Sequence, residues 1–148
     1  MATGELKDPY GGYNFRVEID GIQRAAFQQV SGFDSTIDMI EHREGGENTT
    51  TRKLPGMTKY SNISLKWGLT DDRELYDWHR RTVEGAMRKQ IERKNGSIVL
   101  LDRAGGEVAR WNFVRAWPAK WDGPDFNAET SDVAIETLEL AHEGIARA

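Results

Sequence analysis

The sequence has no cysteine, and this single absence removes several kinds of site. Without thiols the chain can form no disulfide, no thiolate-bound metal site and no cysteine nucleophile. It also has no apolar run near the roughly 20 residues that a helix needs to cross a bilayer. Met1 to Tyr10 is polar and lacks the apolar segment of a signal peptide, so we expect synthesis in a cytoplasm without a signal peptide.

Histidines are few, and the usual nucleotide and nucleophile motifs are missing. His42, His79 and His142 are not spaced like metal ligands on one element, so we expect each to be solvated or hydrogen-bonded locally. Ser31 lacks the preceding glycine of a nucleophile elbow. Gly45-Gly46 lacks the Lys-Ser/Thr of a phosphate loop. We therefore expect no enzymatic activity, no cofactor and no metal.

Basic residues are fewer than acidic ones. The chain has 20 Lys and Arg against 24 Asp and Glu, a formal net charge of -4. Nucleic-acid binding without sequence preference relies on clustered Lys and Arg. We expect no specific binding of DNA or RNA.

Alternation of apolar and polar residues predicts most of the strands. In Asn14 to Ile19, Phe15, Val17 and Ile19 share one face, as in a half-buried strand. Asp20-Gly21 is typical of a two-residue hairpin turn. Further strands are predicted at 22–30, 36–41, 62–67, 97–101, 107–117 and 133–141, with breaks at Trp117-Pro118 and Gly123-Pro124. For 133–141 a helix remains an alternative, and a β-bulge would explain its irregular period.

One helix is predicted after Gly68. Asp71 with Glu74 three residues later forms a capping-box pattern. We expect the helix to end before Asn95-Gly96 and to carry i,i+4 ion pairs. The predicted pairs are Asp77/Arg81 and Glu84/Arg88. The predicted buried stripe consists of Leu75, Tyr76, Val83, Ala86 and Met87.

These elements predict a mainly β protein with one α-helix, built as an antiparallel β-barrel or sandwich. With 148 residues, no repeats and no linker, we expect a single domain over 1–148, with a flexible N-terminal segment at 1–12. Trp111, Trp117 and Trp121 lie close together in sequence. They belong either in the core or at an interface.

A polar segment interrupts the alternation. Glu41 to Lys53 contains no apolar residue, Gly45-Gly46 lies in its middle, and Pro55-Gly56 follows as a predicted turn. A polar connection of this length inside a compact domain tends to be disordered or functional.

Several short stretches, in order and at their spacing, carry a resemblance to a known family. Nearly the whole chain, 8–145, resembles the tail tube proteins of contractile-tailed phages. The closer likeness is to the inner tube subunits of extracellular contractile injection systems. The matching stretches are 13–17, 27–32, 43–48, 53–56, 65–68, 111–121 with Gly123-Pro124 and Asn127-Ala128, and 134–140.

The resemblance implies the fold of tail tubes and the type VI secretion tube: two antiparallel sheets with one helix beside them. In that family, six subunits close a ring around a lumen, and the rings stack into a rigid tube. A sheath contracts and drives the tube through a target envelope. The implied partners are other copies of the chain, the sheath, the baseplate or spike, tape-measure or cap proteins, and cargo in the lumen. Phage DNA is among the implied lumen contents, and no membrane insertion of the monomer is expected.

The resemblance also implies a place and a contact site. Such subunits are made in the bacterial cytoplasm and function in a virion tail or a phage-tail-like particle. Segment 41–56 would be an extended loop that reaches a neighbouring subunit or ring, and its alternating charges would set stacking register. The candidate contact residues are Glu41, Arg43, Glu44, Glu47, Arg52, Lys53, Leu54 and Pro55.

Two alternatives remain at this point. The first is a tube initiator or terminator of the same machine, which shares the fold without stacking on itself. The second is a small-ligand-binding β-barrel, which predicts a monomer with a closed apolar pocket.

Overall fold

The computed structural model describes residues 8–20, 22–24, 27–43, 45, 51–88 and 90–148. Residues 1–7 of the predicted flexible N-terminal segment therefore lie outside the described part of the chain. The strands are β1 Phe15–Ile19, β2 Ile22–Arg24, β3 Gln29–Ser31, β4 Thr36–His42, β5 Arg52–Lys59, β6 Ile63–Gly68, β7 Lys94–Leu101, β8 Glu107–Asp122, β9 Ile135–Ala141 and β10 Gly144–Arg147. The helix α1 spans Glu74–Ala86.

The strands form two main sheets that share β8. In the first sheet the order is β2-β1-β7-β8, with β10 paired to the other side of β8. In the second the order is β8-β9-β6-β3. Every pairing is antiparallel. In the described residues this path stays open from β2 to β3, so the architecture is that of a sandwich.

Strand β8 passes from one sheet to the other through two irregularities. Near Arg115, two residues of β8 stand opposite the single residue Asn95 of β7. Arg115 has φ of 52°, and its backbone N–H donates to Asn95 Oδ1 at 2.9 Å. A second register shift lies between Pro118 and Lys120 where β8 pairs with β9. Such bulges bend a strand and increase its twist, which lets one strand serve both sheets.

Both sheets and the helix contribute to one core. Strand β1 gives Val17 and Ile19, β6 gives Leu65 and Trp67, and the helix adds Trp78. Helix α1 packs chiefly along β8, where the rings of Tyr76 and Trp121 meet edge to face at 5.0 Å. The fold class is confirmed: a mainly β, antiparallel protein with one helix.

Several strand predictions need correction. The predicted strand 22–30 is two short strands, β2 and β3, which pair with different partners. Trp117-Pro118 does not break the chain, because the bulge after Pro118 accommodates a residue without an N–H inside β8. Pro55-Gly56 is not a turn but part of β5. Strand β10 was not predicted.

The irregular period of β9 has a different cause from the predicted bulge. Glu136, Leu138 and Leu140 alternate as buried residues in β9, so a carboxylate takes one core position. Trp121 Nε1 donates to Glu136 Oε2 at 2.9 Å, which compensates the burial of that group. The strand alternative is confirmed and the helix alternative is wrong.

The helix begins later than predicted. Its N-cap is Arg73, without a side-chain capping bond, so the capping box at Asp71 is wrong. Instead, the Glu74 N–H donates to Asp72 Oδ1 at 3.0 Å. The buried residues are Leu75, Trp78 and Thr82, whereas Val83 and Met87 of the predicted stripe are exposed. The ion pairs are Arg73–Asp77, Arg80–Glu84 and Arg81–Glu92 rather than the predicted ones.

The clustered tryptophans contribute to the core. Trp111 and Trp121 are half-buried and pack against the central cluster. Trp111 lies 5.5 Å from the ring of Phe33. Trp117 is half-buried on β8. For Trp111 and Trp121 the core interpretation is therefore confirmed.

Gly96 allows the closest approach inside the first sheet. A Cβ at this position would lie 2.5 Å from the Glu18 carbonyl oxygen and against the ring of Phe113. We predict that Gly96→Ala lowers stability by about 1–3 kcal/mol, because overpacking forces neighbouring atoms apart. Denaturant unfolding measures this loss. Gly12→Ala, where a Cβ meets nothing within 4 Å, is the control. Equal stability of the two variants would contradict the packing argument.

No helix in the described ranges is long and apolar enough to cross a membrane.

Candidate assembly interface

Strands β4 and β5 form a hairpin that stands apart from the sandwich. Within the part of the chain that the structure describes, they pair with each other in a separate two-stranded sheet and with neither main sheet. The register runs from Thr36 opposite Lys59 to His42 opposite Arg52. Two-stranded hairpins are marginally stable alone in water. We call residues 36–42 and 52–59 the projecting hairpin.

The projecting hairpin is exposed along its whole length. Asp38 and Gly56 are partly covered, and all its other residues are exposed. The exposed fractions of its large apolar side chains are 54% for Ile37, 69% for Met39, 53% for Ile40, 45% for Leu54 and 74% for Met57. Contiguous exposed apolar surface marks a contact site in a soluble protein.

The apolar residues lie on both faces of the hairpin. Met39 is opposite Pro55, and Ile40 is opposite Leu54. Neighbouring residues of a strand point to opposite faces, so Met39 and Ile40 belong to different faces. Both faces of the hairpin therefore expose apolar side chains, which makes each face a candidate for contact with another chain.

A bulge at Gly56 shapes the middle of the hairpin. Between the pairs Ile37/Thr58 and Met39/Pro55, β4 has one residue and β5 has two. A Cβ at Gly56 would lie 3.0 Å from the Asp38 carbonyl oxygen, so glycine permits the close approach there. Lys59 Nζ forms an ion pair with Asp38 Oδ2 at 2.9 Å, near the end of the hairpin where β4 begins and β5 ends.

A charged cluster that shifts the pKa values of its members lies away from the hairpin, on the first sheet. Arg110 bridges Glu18 at 2.9 Å and Glu107, while Arg16 pairs with Glu18 at 3.0 Å. The hydrogen bond from Arg110 lowers the pKa of Glu18, and the bond to Glu18 raises the pKa of Arg110. Val99, on the same face in register, is fully buried. The charged cluster therefore lies over a buried apolar residue of β7.

Histidines and acidic residues form no metal site in the described part of the chain: no group of three or more His, Asp or Glu has suitable placement there. His142 Nε2 contacts the Ser61 carbonyl oxygen at 2.9 Å, and His79 Nδ1 contacts the Pro118 carbonyl oxygen at 3.3 Å. Both histidines are hydrogen-bonded, but their partners are 81 and 39 residues away in sequence, so the contacts are not the local ones predicted.

Comparison with known protein families identifies the fold's relatives. The family model described as T4-like virus tail tube protein gp19 matches residues 11–146. The chain belongs to this tail tube family. A search of curated protein sequences finds no match.

Solved structures agree with membership of the tail tube family. A chain from the sheath–tube complex of the extracellular contractile injection system PVC, in the extended state, is 29% identical with a TM-score of 0.84, covering 99% of both chains. A chain from the PVC sheath/tube terminator structure is 30% identical with a TM-score of 0.85, covering 97% of this chain and 99% of that one. Hcp1 from Flavobacterium johnsoniae, 18% identical at a TM-score of 0.62 over 91% and 94% of the chains, shares the fold.

The structure locates six of the eight predicted contact residues of this tail tube protein, while their role stays a prediction. Glu41 lies in β4, and Arg52, Lys53, Leu54 and Pro55 lie in β5, so both ends of the predicted loop 41–56 are paired strands. Arg43 is exposed just beyond β4. Glu44 and Glu47 lie outside the described residues.

Sequence reasoning named Leu54 and Pro55 but missed the other exposed apolar residues of this surface. Ile37, Met39, Ile40 and Met57 were not among the predicted contact residues, yet they are more than half exposed. A signal was present in Ile37-Asp38-Met39-Ile40, where apolar residues occupy both phases of a strand. That pattern indicates a strand covered on both faces.

Proposed function

We propose that this tail tube protein is the repeating subunit of an inner tube, in which copies close into hexameric rings and the rings stack around a lumen. The tube would be surrounded by a sheath and driven through a target envelope when the sheath contracts. Its lumen would conduct cargo. The protein would work within an assembled virion tail or phage-tail-like particle.

The single observation that carries this proposal is the projecting hairpin. Its apolar side chains are exposed on both faces in one copy, and its two outer strand edges are free of the main sheets. Free strand edges and exposed apolar faces promote aggregation unless another chain covers them. Stacked rings supply that cover with identical neighbours.

The proposed partners follow from the assemblies in which similar chains occur. Those assemblies include a PVC sheath–tube complex and an anti-feeding prophage baseplate, the latter containing a chain 27% identical to this one. We therefore propose sheath and baseplate proteins as neighbours of the tube. The family is that of a structural tube protein, and we propose that this chain likewise has no catalytic role.

A second candidate is a tube terminator or cap. A chain in the PVC sheath/tube terminator structure and one in the anti-feeding prophage cap have TM-scores of 0.85 and 0.86, comparable to the 0.84 of the sheath–tube chain. A terminator would form one ring and would not stack on further copies of itself. The two candidates therefore differ in self-assembly.

Electron microscopy of the purified protein tests the proposal. We expect rings and, as concentration rises, tubes of increasing length. Single rings that never stack would favour the terminator. Monomers at all concentrations would contradict both, and a change on adding apolar ligands would then favour the small-ligand-binding barrel.

A further inference from the structure

The projecting hairpin is joined to the sandwich through two short segments, which we call its roots. The first root, residues 32–35, leads from β3 into β4, and the second root, residues 60–62, leads from β5 into β6. No strand pairing among the described residues holds the hairpin against a main sheet. The contacts of the two roots therefore determine the direction in which the hairpin points.

The two roots lie against each other. Gly32 has φ of 84°, and a Cβ there would lie 2.5 Å from the Asn62 carbonyl oxygen. Glycine adopts a positive φ without steric cost and leaves room for this close approach. The Ser61 N–H donates to Asp34 Oδ1 at 3.1 Å. These contacts tie the first root to the second.

An aromatic side chain anchors the first root. Phe33 packs against the central cluster, and its ring lies 5.5 Å from that of Trp111 on β8. Its neighbours Gly32 and Asp34 are exposed. Phe33 is therefore the residue through which this root contacts the core.

A histidine from the connection between β9 and β10 contacts the second root. His142 Nε2 lies 2.9 Å from the Ser61 carbonyl oxygen, and because a carbonyl oxygen only accepts, Nε2 donates. The imidazole ring lies 5.6 Å from the ring of Tyr60. His142 Nδ1 is buried and has no hydrogen-bond partner in the described ranges. The hydrogen bond to the root therefore depends on Nε2.

The connection that carries His142 is itself fixed on β8. The Glu143 N–H donates to the Val114 carbonyl oxygen at 3.0 Å, and Arg115 Nε forms an ion pair with Glu143 Oε2 at 2.7 Å. Strand β8 belongs to both sheets. His142 thus connects the second root to the strand that the two sheets share.

We propose that His142 is a positioning residue, which fixes the direction of the projecting hairpin through Ser61 and Tyr60. The hydrogen bond adds little to the stability of the fold, because Ser61 is exposed and its carbonyl oxygen can bond to water instead. The consequence for assembly rests on the proposed function. A hairpin held in one direction loses less conformational entropy when another copy contacts it.

The sequence has no cysteine, so two can be introduced for spin labels. Met57→Cys lies on β5, and Met87→Cys lies just after helix α1; both positions are largely exposed. We call these two labels the hairpin pair. Distances between the labels, measured by pulsed electron paramagnetic resonance on the dissociated chain, report the direction of the hairpin. We expect one narrow distance distribution when His142 is present.

Substitutions of His142 separate positioning from packing. His142→Ala removes the ring and the hydrogen bond, so we expect a broad distribution, with the ratio of anchored to released hairpins lower by about two- to tenfold. His142→Gln places an amide N–H near the position of Nε2 and is expected to restore the narrow distribution. His142→Asn places its amide nitrogen near the position of Nδ1 and is expected not to restore it.

Met87→Cys with Val133→Cys is the control pair, because both positions lie away from the hairpin and are largely exposed. Its distance should stay the same in every variant. A broad distribution for the hairpin pair when His142 is present would overturn the inference, as would a narrow one in His142→Ala. Equal rescue by His142→Asn and His142→Gln would also overturn it. None of these results bears on the proposed function.

Assembly gives the second measurement. We expect His142→Ala to reduce pelleted tube mass severalfold and His142→Gln to recover it, with unfolding temperatures near that of the wild type. Undiminished tubes from His142→Ala, together with a broad distribution for the hairpin pair, would overturn the consequence for assembly. A wild-type chain that forms neither rings nor tubes, but has a narrow distribution, would overturn the proposed function and support the positioning role.

Discussion

Replacing Met39 and Ile40 with aspartate is expected to abolish tube formation while leaving the fold of the single chain unchanged. The two residues lie on opposite faces of the projecting hairpin and are 69% and 53% exposed. Complete burial of an apolar side chain of this size is worth about 1.5–3 kcal/mol. Placing a charge in each buried contact reverses that gain, and the same loss repeats at every copy in the ring.

The measurement pairs assembly with stability. Ultracentrifugation and micrographs report tubes, and thermal unfolding of the dissociated chain reports the fold. We expect the unfolding temperature to stay near that of the wild type, since neither residue belongs to the core. Met87→Asp is the matched control, because Met87 is 90% exposed just after the helix. Long tubes from the Met39/Ile40 double variant would contradict the role given to the hairpin.

The same hairpin shows why part of the candidate site was beyond sequence reasoning. Strands β1 and β6 were predicted because one face of each meets the core, which produces clean alternation. Strand β5 meets no core in its own subunit, so its sequence has no such period. Its pairing depends on the neighbouring strand β4 and on the bulge at Gly56, and Pro55-Gly56 alone is typical of a turn.

Tertiary contacts also explain the other differences between the predicted and the observed elements. Pro118 continues β8 because a bulge follows it, and that bulge exists because β8 has to serve two sheets. Glu136 disturbed the apolar period of β9 because Trp121 supplies its hydrogen bond from another strand. The predicted helix stripe left out Trp78, whose side chain is completely buried among residues of both sheets. Each of these requires knowledge of residues distant in sequence.

Trp78 gives the largest expected effect on stability. Its side chain is completely buried in helix α1 and belongs to the central cluster. Its Nε1 donates to the Glu92 carbonyl oxygen at 3.0 Å, which ties the helix to the segment that leads into β7. We expect Trp78→Ala to cost about 3–5 kcal/mol, because the variant leaves a cavity. A loss of that size is a large share of the roughly 5–15 kcal/mol that stabilises a domain.

Thermal and denaturant unfolding of the dissociated chain measure this loss. We expect the unfolding temperature to fall by about 10 °C or more. Trp78→Phe keeps an aromatic ring but removes the N–H, so we expect a smaller loss, of which about 1–3 kcal/mol comes from the unpaired Glu92 carbonyl. Arg80→Ala, at a mostly exposed position of the same helix, should change little. If Trp78→Ala unfolds at the temperature of Arg80→Ala, helix α1 is not anchored through this ring, and the core has to be assigned to the two sheets alone.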